Sequence, residues 1–135
     1  MIKRITTRAE VASILGLPDS RLTEQIPCEK AEWVQWLEGQ IEKPEFLRIW
    51  GTVEDDKVTN YMVALNAVMP PISRSVLILY QSFYSETEGA LEALAEVEKW
   101  AKELGATNLA IQTKYPRVNS QFGFVEEGYS MVMKI

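Results

Sequence analysis

The stretch RSVLILYQSFYSETEGALEALAEVEKWAKELGATNLAIQ, residues 74–112, decides the fold. Ser75 to Tyr80 is a short apolar run rich in branched side chains, the composition of a buried strand. From Glu86 to Leu104 the apolar residues Ala90, Leu91, Leu94, Val97, Ala101 and Leu104 recur every three or four positions, which predicts an amphipathic helix. Gly105 ends it, and Asn108 to Thr113 alternates Leu109, Ile111 and Thr113 as a second strand does. A strand-helix-strand unit of this length is normally a right-handed parallel crossover.

On the N-terminal side, Met1 to Ile5 reads as a short edge strand. Thr7-Arg8-Ala9-Glu10 matches a capping box, so a short helix should follow and stop at Gly16 and Pro18. Asp19 to Pro27 reads as a loop. A second helix is expected over Glu29 to Ile41, with Trp33, Trp36, Leu37, Gln40 and Ile41 near one face and Pro44 closing it. Two strands, Glu45 to Val53 and Val58 to Met69, flank the polar turn Glu54-Asp55-Asp56-Lys57, which suits a hairpin. Pro70-Pro71 interrupts the second of them. Phe124 to Ile135 should hold one or two closing strands around Glu126-Glu127-Gly128. Together these elements predict an α/β (α+β) fold, with a mixed, mostly antiparallel central sheet and helices on both faces.

A length of 135 residues with no repeat or linker reads as one domain, 1–135, large enough to bury its own core. A net charge of -5 and scattered Lys and Arg argue against nucleic acid, whose phosphates need a basic stripe. No apolar stretch approaches the roughly 18 residues that span a bilayer, and no secretory pattern opens the chain, so a cytoplasmic location without membrane contact is expected. The single cysteine, Cys28, excludes an intramolecular disulfide and reads as a small buried hydrophobe. There is no histidine. Ser-His-Asp and Cys-His nucleophile systems and histidine-ligated zinc are thereby excluded, no metal site is expected, and a general base would have to be a carboxylate, a tyrosine or an ordered water.

The order of elements resembles the GNAT superfamily of acyl-CoA-dependent N-acetyltransferases over nearly the whole chain. Residues 51–65 (GTVEDDKVTNYMVAL) resemble its second and third strands, residues 79–113 its central motif, and residues 122–135 (FGFVEEGYSMVMKI) its closing Gly-Phe and final strand. The resemblance implies acyl transfer from acetyl-CoA to an amine. It implies that the backbone of Leu79, Tyr80 and Gln81, continuing to Ser82, holds the acetyl carbonyl and pantetheine arm. It also implies that the coenzyme pyrophosphate rests in a loop of pattern R/Q-x-x-G-x-G/A at the start of the long helix. That pattern falls on Ser85-Glu86-Thr87-Glu88-Gly89-Ala90, so the cofactor-binding set is Leu79, Tyr80, Gln81, Ser85, Gly89 and Ala90.

The loop departs from the pattern. Ser85 replaces the Arg or Gln and Glu88 the first glycine, so the carboxylates of Glu86 and Glu88 stand where two phosphates should lie. A like-charge pair near 4 Å costs about 1 kcal/mol in water and roughly 4 kcal/mol at an effective dielectric of 20. The same residues also read as a second capping box, Ser85-x-x-Glu88, that serves the helix alone. The tyrosine that protonates the leaving thiolate in the family falls on Asn119, and neither Tyr115 nor Tyr129 matches its place. Candidate bases are Glu45, Glu54, Asp55 and Asp56, the last three read in preference as solvated turn residues. Trp33, Trp36, Trp50 and Trp100 read as core, or as the lining of an acceptor pocket. No catalytic residue is assigned. The coenzyme loop is degenerate, and activity is expected to be weakened or lost. Two alternatives stay open: a noncatalytic GNAT-fold protein binding another small molecule or a protein partner, and a structural or assembly component, for example of phage or prophage origin. A homo-oligomer is compatible with each.

Overall fold

The computed structural model describes residues 1–18, 22, 26–69, 73–83, 89–111, 123–124 and 133. Strand β1 (Lys3–Arg4) leads into helix α1 (Arg8–Ala12) and a 3-10 turn (Ser13–Gly16). Helix α2 (Lys30–Gln40), strands β2 (Leu47–Glu54), β3 (Lys57–Met69) and β4 (Ser73–Gln81), helix α3 (Ala90–Glu103) and strand β5 (Asn108–Ile111) follow.

Each boundary has a local cause. At α1 the Thr7 hydroxyl accepts from the Glu10 amide at 3.2 Å, and the Glu10 carboxylate accepts from the Thr7 amide at 3.2 Å. Two orphan donors are thus satisfied reciprocally, as the sequence predicts. The hairpin between β2 and β3 turns on Asp55 (φ 51°) and Asp56 (φ 61°), both left-handed, which matches the twist of the strands on either side. Glu45 lies before the strand rather than in it, because Phe46 and Leu47 both donate back to the Lys43 carbonyl.

Among the described residues five strands lie in sequence order, antiparallel from β1 to β4, with β5 parallel to β4 through Ser75↔Asn108 to Ile78↔Ile111. The mixed, mostly antiparallel sheet is as expected, and helices cover both faces. On one face α1, the 3-10 turn and α2 bury Val11, Ile14, Trp33, Val34 and Leu37 against Ile49, Tyr61, Val63 and Tyr80. On the other, α3 buries Ala93, Val97, Trp100 and Ala101 against Trp50, Met62, Ala64, Val76 and Ile78. Each Val, Leu, Ile or Met among them contributes about 1.5–3 kcal/mol when fully removed from water. Gly51 is required by the first layer, since a Cβ there would stand 2.3 Å from the Asn60 carbonyl and 3.2 Å from the Tyr61 Cβ.

Two expectations are corrected. Helix α3 starts at Ala90, not Glu86, because its N-cap Gly89 has φ 91° and cannot continue a right-handed helix toward Ser85. On α2 the packed face is Trp33, Val34 and Leu37, whereas Trp36 is 37% exposed and stacks on Trp33 with ring centroids 5.7 Å apart. The expected closing strands over Phe124–Ile135, and most of the Asp19–Pro27 loop, lie outside the described residues.

Candidate functional site: the C-terminal ends of β4 and β5

Strand β4 carries a bulge. Tyr80 pairs with Val63 and Ile78 with Ala64, so Leu79 has no partner on β3. A bulged residue is left out of the ladder, and the strand bends there. The slip is visible in the packing. Leu79 and Tyr80, adjacent in sequence, both pack into the layer beneath α1 and α2, while Ile78 joins the α3 layer.

The residues expected to hold a coenzyme are distributed around this bulge. Tyr80 is fully buried, its ring 5.3 Å from that of Tyr61 and 6.0 Å from that of Trp33, so only its backbone faces any site. Gln81 is buried opposite Met62, and its Oε1 has no hydrogen-bond partner among the described residues. Ser82 is already committed: its amide donates to the Tyr61 carbonyl at 2.9 Å, and its hydroxyl accepts from the Tyr61 amide at 2.9 Å. Gly89 holds the left-handed position that starts α3, and a Cβ there would approach Ile2 Cδ1 at 3.2 Å. Ala90 is buried at the first helical position. Among the described residues, no side chain caps this end of α3. Ser85, Glu86 and Glu88 lie outside the described residues.

Of these residues, Gln81 and Ala90 come together at one cleft, whereas Leu79, Tyr80, Ser82 and Gly89 do not line it. Met62, Ile78, Gln81, Ala90, Leu94, Ile111 and Phe124 line it, from β3, β4, the start of α3, β5 and the segment at 123–124. Its free volume is only about 10 Å³, the room of a single water, and the lining is apolar apart from Gln81. The open, splayed gap that acyl transfer would favour is therefore narrow in this conformation.

The other candidates sit elsewhere. Glu54, Asp55 and Asp56 are solvated at the β2–β3 hairpin, and exposed Glu45 stands 4.0 Å from the Arg48 guanidinium. Trp33, Trp50 and Trp100 are core: Trp33 donates to the Tyr61 hydroxyl, and Trp50 packs on Trp100 at 5.9 Å. Cys28 packs beside the α1–α2 layer, and burial, followed by the carboxylates of Glu32 and Glu29, pushes its thiol pKa up. It is thereby kept from the reactive thiolate form. Tyr115, Asn119 and Tyr129 lie outside the described residues. Among the described residues no group of three metal-binding side chains occurs, and no helix is long and apolar enough to cross a membrane. The bulge was missed by sequence reasoning, because the run Val76 to Leu79 offers no polar residue to mark a change of phase.

No family model matches the chain, and no curated protein sequence matches it. Solved structures do. An aminoglycoside 6'-N-acetyltransferase, AAC(6')-Ih from Acinetobacter baumannii, superposes with a TM-score of 0.77 at 16% identity, covering 100% of this chain and 97% of that one. The enzyme AAC(6')-Iy, solved with the bisubstrate analog CoA-S-monomethyl-acetylneamine, gives 0.75 at 15% identity over 100% and 97%. A protein from Clostridium acetobutylicum, described as a predicted acetyltransferase with acetyl-CoA, gives 0.72 at 15% identity over 99% and 96%. The chain has the fold of the GNAT N-acetyltransferases.

Proposed function

We propose that the protein is an acyl-CoA-dependent N-acyltransferase whose hold on the coenzyme is weakened by its loop. The observation that carries this reading is the β4 bulge at Leu79, set beside a parallel β5, with Gln81 just after it and the first residue of α3, Ala90, lining one cleft. A bulge leaves backbone groups without ladder partners. Hydrogen-bond donors fixed in this way suit an acyl carbonyl that gains negative charge during transfer. The start of α3 adds its first-turn amides and the positive end of the helix dipole, which favour an anion.

The described residues suit acyl-CoA in three respects. Gln81 Oε1 is a buried acceptor without a partner among the described residues, and an amide N–H of the pantetheine arm is a donor of the right kind. Gly89 keeps side-chain bulk away from the helix start. The cleft's apolar lining suits the methylene segments of that arm. When bound, acyl-CoA supplies the activated acyl group. Leu79 and Gln81 would orient it, and the residues around Met62, Ile78 and Ile111 would exclude water. The proton released by the amine has no assigned acceptor, so a water is the simplest route out.

The narrow cleft and the carboxylates of Glu86 and Glu88 favour a second reading, a GNAT-fold protein that binds a different ligand or a protein and catalyses nothing. Calorimetry with acetyl-CoA decides between the two. Low-micromolar binding supports acyl transfer, and absence of heat at millimolar coenzyme overturns it. Exchanging Glu86 and Glu88 together for glycine should tighten binding by about tenfold or more if charge is the obstacle, since 1.4 kcal/mol corresponds to a factor of ten. No gain would mean that the closed cleft is the obstacle.

A further inference from the structure

A second concavity lies on the α3 face of the sheet, at the β1–β2 side and away from the cleft just described. It has a volume of about 330 Å³ and lies between the C-terminal half of α3 and the strand pair. Such a volume is at the lower end of what small-molecule sites occupy. Arg4 and Arg48 contribute from the strands, and Glu96, Lys99, Trp100 and Glu103 contribute from α3 at helical spacing.

The register explains why two arginines meet. Arg4 pairs opposite Trp50, and Arg48 lies two residues before Trp50, so all three side chains project toward α3. Arg48 is held in place. Its Nε donates to the Pro44 carbonyl at 2.8 Å, and its guanidinium carbon sits 4.9 Å from the centroid of the Trp100 ring. Its contact with Glu45, at 4.0 Å, is at the limit of an ion pair. Arg4 makes no ion pair with any described carboxylate. Its pKa is lowered, first by burial and then by the like charge of Arg48, with Glu45 opposing. The indole N–H of Trp100, also part of the lining, is buried and has no acceptor among the described residues.

Two guanidinium groups turned toward one cavity repel each other, and an oxyanion between them removes that cost while accepting charge-assisted hydrogen bonds. Glu96 and Glu103 are exposed, where salt screens them, and they narrow the range of ligands rather than block an anion. We propose that this cavity binds the oxyanion of a small ligand, a phosphate or a carboxylate, between Arg4 and Arg48 above Trp100. The assignment does not rest on acyl transfer at β4.

Titration of the isotope-labelled protein with inorganic phosphate, and separately with succinate, tests it at constant ionic strength against sodium chloride. The indole resonance of Trp100, assigned through Trp100→Phe, should shift and saturate with an affinity of about 1 mM or better. Saturation by phosphate alone points to a phosphorylated ligand, by succinate alone to an organic acid, and by both to the shared oxyanion chemistry. Arg4→Gln should weaken binding by about tenfold, and Arg48→Lys, which keeps the charge but loses the planar fork, by about fivefold. Melting curves confirm that these variants remain folded. The proposal is overturned if neither anion shifts the resonance by about 20 mM, or if folded Arg4→Gln protein responds as the parent does.

Discussion

Trp33 donates its indole N–H to the Tyr61 hydroxyl at 3.0 Å, joining α2 to β3 in the centre of the larger core. Both residues are almost fully buried. Removing the acceptor leaves a buried donor unpaired, which costs more than the bond itself contributes. Tyr61→Phe should therefore lose about 1–3 kcal/mol, seen as a lower thermal midpoint by circular dichroism. An unchanged midpoint would mean that the indole finds another partner.

Glu10 should make stability depend on acidity. Burial alone would raise its pKa, but hydrogen bonds from Lys3, from the Thr7 side chain and from the Thr7 and Thr6 amides outweigh it and hold the carboxyl below its ordinary 4.5. A carboxyl with a depressed folded-state pKa stabilises the fold above its unfolded value, and the benefit fades as pH falls through the folded value. Glu10→Gln should cost about 1 kcal/mol at pH 7. The gap between parent and variant should stay full above the ordinary pKa and shrink below it, as read from urea unfolding across pH. A gap that widened in acid would reverse the sign of this argument.

The hairpin offers the opposite sign. Asp55 and Asp56 both occupy the left-handed region, where glycine and asparagine are tolerated better than other residues. Exchanging them for Asn and Gly should raise stability by about 0.5–1 kcal/mol, because a two-residue turn of this geometry prefers that pair. A fall in the thermal midpoint would show that the aspartates hold the turn by contacts of their own.

Gly89→Ala should destabilise by about 1–2 kcal/mol through its positive φ alone. The added methyl also approaches Ile2 Cδ1 at 3.2 Å. Combining it with Ile2→Ala separates the two causes: crowding would be relieved and the backbone cost would persist. If the double variant is no less stable than Ile2→Ala alone, the helix start is not strained there.

Much of the architecture was legible because polarity and period agreed. The α3 stripe at Ala90, Leu94, Val97 and Ala101, the Thr7–Glu10 box and the Asp-Asp turn each announced themselves locally. The missed features depend on tertiary context. Tyr61 to Ala64 are buried in succession because both faces of β3 are covered, so alternation has nothing to display there. Trp36 resembled a core residue until α2 turned its Val34 inward instead. Gly89 fitted a phosphate loop and a helix interior equally well until its backbone angle excluded the second. The bulge lies within a uniformly apolar run, and the Arg4–Arg48 pair exists only because β1 and β2 are adjacent.

The contact between Ile2 and the position of Gly89 has a practical consequence. Ile2 packs against the α3 layer beside the position of Gly89, so an affinity tag or fusion partner attached ahead of it stands close to the corner from which α3 departs. A ligand assay on amino-terminally tagged protein would report the tag together with the protein, and cleavage of the tag before calorimetry is the control that separates them.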